Sequence, residues 1–110
     1  MNSVNKVQLI GELKNAPEFS EANGLKLARF ILITCDYYRI DGKLILEREW
    51  HQVVAFGQQA TLVMQNLVKG DEVVVDGSIV RRNSTDEKGN KVLVTEVLVQ
   101  GILFPFTKRA

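Results

Sequence analysis

The sequence predicts one all-β domain: a five-stranded barrel with a single α-helix between the third and fourth strands. Three observations carry that expectation. β-forming residues collect in five runs, 4–13, 25–38, 44–56, 72–82 and 91–103. Asn23-Gly24, Asp41-Gly42 and Gly89-Asn90 fall between runs and supply the positive-φ residues of tight turns. Only one segment carries a helical period. A chain of 110 residues holds one domain, and 45% apolar content is that of an ordinary globular protein. The barrel is assigned to 1–103, leaving 104–110 as a short C-terminal tail.

The first run, Val4 to Leu13, opens the barrel. In the second, Ala28, Phe30 and Leu32 alternate with Leu27, Ile31 and Ile33, and only Arg29 interrupts. That strand is apolar on both faces, as is Val73-Val74-Val75 in the fourth run. The third run puts Arg48, Trp50, Gln52, Val54 and Phe56 on one face and His51 on the other. From Gln58 to Lys69, Ala60, Val63, Met64 and Leu67 recur at i, i+3, i+4 and i+7, which predicts an amphipathic helix. Its cap is weak, with only Gly57 available, while Lys69 suits the C-terminal dipole and Gly70 the left-handed position beyond it. The Met64 and Leu67 stripe is expected to plug the barrel bottom. Five strands with the helix after the third is the order of an OB-fold, a Greek-key barrel. A small barrel has one interior, so the second apolar faces predict self-association with closed symmetry.

Charge and chemistry exclude several classes. The net charge of +1 is low for a binder that works by electrostatics alone. Arg39, Lys43 and Arg48 are balanced by Asp41, Glu47 and Glu49, and only Arg81-Arg82, then Lys88 and Lys91, make a basic region. No apolar run approaches the roughly eighteen residues of a membrane span, so no membrane partner is expected. The N-terminus lacks a secretory profile, and the single Cys35 excludes an intrachain disulfide, so a reducing cytoplasmic setting is expected. One His and one Cys build no zinc site or nucleophilic pair, and Gly70 to Gly77 lacks the Lys-Ser/Thr ending of a phosphate loop. No catalytic residue, metal or cofactor is expected.

Glu49-Trp50-His51-Gln52-Val53-Val54-Ala55-Phe56-Gly57 holds the single tryptophan and the single histidine. At about 3.3 Å per residue, Trp50 and Phe56 stand roughly 20 Å apart on one strand face, with room between for a few unstacked nucleotides. The same alternation also suits a tryptophan in a core or subunit contact. This segment resembles the signature strand of the bacterial single-stranded DNA-binding proteins. Val4 to Gly11 resembles that family's first strand, and Asn23-Gly24, Leu67-Val68-Lys69-Gly70 and Thr95-Glu96-Val97 match in order and spacing to about Gln100.

The resemblance implies a homotetramer that coats single-stranded DNA in replication, recombination and repair, in the nucleoid-associated cytoplasm. It implies base stacking on Trp50, Phe56 and Tyr38, the last where the family often carries tryptophan. Ser84 falls where many members place another tryptophan, so one platform is missing. Arg48, Arg81, Arg82, Lys6, Lys43 and Lys88 are the expected phosphate contacts, with one of the adjacent Arg81 and Arg82 reaching the strand. Family members usually continue into a flexible linker and an acidic tip. This chain ends Lys108-Arg109-Ala110, so tail-mediated recruitment of replication proteins is not expected. The alternative is a protein-interaction OB module like the primosomal replication protein N, which the missing aromatic and near-neutral charge also fit.

Overall fold

A computed structural model describes residues 1–104. Its elements are β1 (Val7–Leu13), β2 (Glu18–Ala22), β3 (Leu25–Ile40), β4 (Lys43–Phe56), α1 (Gln58–Asn66), β5 (Glu72–Thr85) and β6 (Lys91–Leu103). The ladder runs β1-β5-β6-β4-β3-β2, and β1 closes it by pairing Glu12 with Ile33 and Leu13 with Leu32 on β3. β4 and β6 pair in parallel, the other neighbours antiparallel. The result is the expected OB barrel with its helix after the third long strand.

β2 was not expected, and the reason is visible in its burial. All five of its residues are exposed, so no apolar alternation marks it. It continues the path of β1 along β3 after a break at Pro17, which has no N–H to give a ladder. Across the break Lys14 N–H donates to Ile31 O at 2.8 Å, and Asn15 Oδ1 accepts from Ile31 N–H at 2.9 Å. At the other end of β1, Asn5 holds the Ile79 backbone by two bonds, Nδ2 to the carbonyl at 2.8 Å and Oδ1 from the N–H at 2.9 Å.

The core is the inward set of the long strands: Leu13, Ala28, Phe30, Leu32, Val53, Ala55, Val73, Val75, Val97 and Val99. Two-residue turns at Asn23-Gly24 and Asp41-Gly42 have positive φ at both positions, the primed geometry that matches strand twist. Helix α1 is shorter than its pattern. It ends at Asn66, and Leu67 turns extended at φ −108°, ψ 137°. Lys69 therefore lies beyond the last turn, and Gly70, at φ 91°, belongs to the loop entering β5 rather than to a helix cap. Gly57 caps the start without a side-chain bond. The plug is also corrected: Ala60, Val63 and Leu67 fill the barrel end, while Met64 is exposed. Phe104, at the head of the tail, packs against the core. Phe106 lies outside the described residues.

Candidate nucleic-acid interface

The β3–β4 ladder decides which side chains share a face. Ile33 opposes Trp50, Ile31 Gln52, Arg29 Val54 and Leu27 Phe56, and all eight point away from the core. Trp50 is 61% exposed and Phe56 39%. Neither ring is in the core. Lys14 Nζ stands 4.4 Å from the centre of the Trp50 ring, a cation–π contact that sequence spacing gave no sign of. It brings a movable positive charge to the indole.

Beyond the barrel the hairpin is exposed on both faces over 35–44 and 46–48. Tyr38 is exposed but opposes Ile45, so it alternates to the face opposite Trp50, and its hydroxyl donates to Glu47 Oε2 at 3.5 Å. Tyr37 opposes Leu46 and shares the face of Trp50, at 67% exposure. Tyr37 was legible in the sequence. A two-residue turn at Asp41-Gly42 sets Ile40 against Lys43, and counting back along the hairpin puts Tyr37 in phase with Trp50. Arg48, opposite Cys35, lies on that face too and is exposed. Lys43 and Lys88 stand near the tips of two different hairpins, and Lys6 precedes β1. Among the described residues, the side chains of Lys6, Lys43, Arg48, Arg81 and Lys88 make no hydrogen bond or ion pair.

The two adjacent arginines differ. Arg81 opposes Thr95 and follows the phase of Ile79 and Val97. Arg82 points to the outer face, where its Nε donates to Glu96 Oε1 at 2.9 Å. Arg29 Nε donates to the other oxygen of Glu96 at 3.0 Å. Glu96 is only 3% exposed. Its burial opposes ionisation, but hydrogen bonds from Arg82 and Arg29, and then their charges, outweigh it and hold the carboxyl below its usual range. A folded pKa below the unfolded one gives stability that is present above the unfolded value, about 4.3, and is lost as pH falls through the folded value. Thermal melts should therefore show E96Q less stable than the parent at pH 7, with the gap narrowing on acidification. A gap that stays constant down to the acid limit would show that Glu96 is not ionised in the fold. Ser84, in phase with Arg82, brings no ring to this face.

β4 and β6 pair in the ladder at Val53–Val97 and Val54–Leu98. Where they part, a cleft of about 350 Å³ opens, lined by Trp50, His51, Gln52, Ile79, Thr95 and Glu96. His51 has the inward phase, as expected, and its Nε2 shares a 2.8 Å hydrogen bond with Thr34 Oγ1. No cluster of metal-ligating side chains occurs among the described residues. No helix among them is long and apolar enough to cross a membrane.

Residues 4–105 match the Single-strand binding protein family. The chain is 39% identical over 98 residues to "Single-stranded DNA-binding protein 1" of Chlorobaculum tepidum, covering 86% of this chain and 60% of that protein. It is 36% identical over 103 residues to the protein of the same name from Xylella fastidiosa, covering 91% of this chain and 76% of that one. Among solved structures, the Plasmodium falciparum SSB in complex with ssDNA aligns with a TM-score of 0.86 at 28% identity, over 96% of this chain and 97% of that one. With the family's pattern met over residues 4–105 and the fold aligning over 96% of the chain, this chain belongs to the single-strand binding protein family, whose members bind and do not catalyse.

Proposed function

We propose that this protein binds single-stranded DNA without regard to sequence and protects it during replication, recombination and repair. The supporting observation is the outward display of Trp50 and Phe56 along one exposed ribbon. Flat rings accept any base, and stacking contributes about 1–3 kcal/mol per base in such systems. Tyr37 extends the platforms along the hairpin on the face of Trp50, and Tyr38 offers a further exposed ring on its other face. Arg48, Lys6, Lys43, Lys88 and one of the adjacent Arg81 and Arg82 supply phosphate contacts, and the low net charge gives a moderate salt dependence. The protein works as a homotetramer on the cytoplasmic nucleoid. Exposed Ile10, Leu93 and Leu103, and the edge of β1 left unpaired over most of its length, support assembly.

Trp50 is the only indole, so its fluorescence reports on the site directly. Titration with an unstructured oligothymidine at two salt concentrations should give strong, saturable quenching that weakens as salt rises. Absence of quenching and of any complex would overturn the reading and favour a protein-interaction OB module.

A further inference from the structure

We propose that Arg29, Arg82 and Glu96 form a phosphate seat between the two aromatic platforms, in which Glu96 is a positioning residue and the two arginines hold the strand's phosphodiester. The inference rests on the single-strand binding reading and adds to it a residue, Arg29, and a role, that of Glu96, absent from the expected contacts.

The geometry is set by three ladders. Along the outer face of β4 the order is Trp50, Gln52, Val54, Phe56. Val54 is buried although it faces outward and lies outside the core cluster. Its neighbours explain this. Arg29 opposes it on β3, and Leu98 opposes it on β6, one alternation from Glu96. To reach Glu96, the Arg29 side chain must cross β4 over Val54, laying its methylenes on the valine. Arg82 reaches the same carboxylate from β5. The cluster thus sits over Val54, about 13 Å from Trp50 and about 7 Å from Phe56 along the strand. A polynucleotide stacked on both rings passes over it.

The bonding leaves the arginines usable. Each gives Glu96 only its Nε–H, and both side chains remain part exposed. A guanidinium carries five N–H donors in a rigid fork, so the four on the two Nη atoms are left to a phosphate. Glu96, nearly sealed from solvent, removes the freedom that two flexible side chains would otherwise lose on binding. Two arginines against one carboxylate leave the cluster positive. Glu18 opposes Arg29 on β2 but makes no ion pair with it. Cavities flank the cluster on both sides. Arg29 and Gln52 line one of about 280 Å³, and Glu96, Gln52 and Trp50 line the cleft of about 350 Å³.

The test is oligothymidine affinity across a salt series for the parent, R29Q and E96Q, followed by Trp50 fluorescence, with a thermal melt of each protein alone. Loss of one phosphate contact should make R29Q bind about five- to tenfold more weakly at low salt and reduce the salt slope by about 0.7. E96Q makes the protein more positive but frees both guanidiniums, so binding should weaken rather than tighten. A purely structural ion pair would shift the melts and leave the slope of R29Q at the parent value. That result, or tighter binding by E96Q, overturns the seat. Should R29Q lose its cooperative melt, R29K replaces it. The charge stays but the fork is lost, and parental affinity would likewise overturn the proposal. If the parent itself fails to bind, it is the single-strand reading that falls.

Discussion

Trp50→Ala should weaken binding of single-stranded DNA by about 1–3 kcal/mol, roughly five- to 150-fold, while leaving the fold and its assembly intact. The indole stands on the outer face of β4, 61% exposed, and none of the core residues depends on it. What the fold loses is the Lys14 contact, worth about 0.5–1 kcal/mol at an exposed site. The variant has no indole to follow, so the measurement is anisotropy of a labelled oligothymidine, paired with a circular-dichroism melt. Binding reduced with the melt nearly unchanged is the expected result. A large fall in melting temperature together with lost binding would mean that the ring supports the protein rather than its ligand. Phe56→Ala should act in the same direction but less strongly, because the smaller ring is also more covered.

The shared outer face of β4 is legible in the sequence. Strand alternation is local, so the shared face of Arg48, Trp50 and Phe56 followed from residue count alone. The turn pairs were equally legible because positive φ at Asn23-Gly24 and Asp41-Gly42 is a property of those residues. Assigning Tyr38 to the ribbon required more. Its phase depends on register across the hairpin, and the register that excludes Tyr38 from Trp50's face brings in Tyr37.

Long-range contacts were not legible. Glu96 is followed by an apolar run and preceded by a threonine, and nothing local says that it is buried. Its burial follows from two arginines 67 and 14 residues away that come together when β3, β4, β6 and β5 curl into one surface. Arg29 read as an interruption in an apolar strand. In the fold it is a bridge across the neighbouring strand. The helix end was misjudged for a related reason. Leu67 keeps the helical period, but its side chain reaches the core from an extended backbone, which periodicity does not distinguish. Where apolar spacing outlasts the helix, packing at the barrel end decided the boundary.

Gly77→Ala should cost about 3 kcal/mol or more, because the added methyl runs into backbone. A Cβ at Gly77 would lie 2.1 Å from the Leu98 carbonyl oxygen and 3.2 Å from Val97 Cγ1. The obstacle is backbone, which has no rotamer to escape into. The register explains the crowding: Asp76 opposes Gly101 but Gly77 opposes Val99, so Gln100 is extra and β6 presses toward β5 at the bulge. To admit the methyl, the strands must separate at a point where the barrel wall turns. Leu98 is one alternation from Glu96, so the displacement passes into the arginine cluster, and binding should suffer with stability. For a domain of this size a loss of about 3 kcal/mol lowers the melting temperature by roughly 10–20 °C. Gly24→Ala is the control. Its φ of 79° strains any side chain, but nothing lies within 4 Å, so the cost should be about 1–2 kcal/mol and binding should be spared. A G77A protein that melts with the parent would mean that β5 and β6 do not approach as closely as their ladder requires, and the outer face that depends on that approach would have to be redrawn.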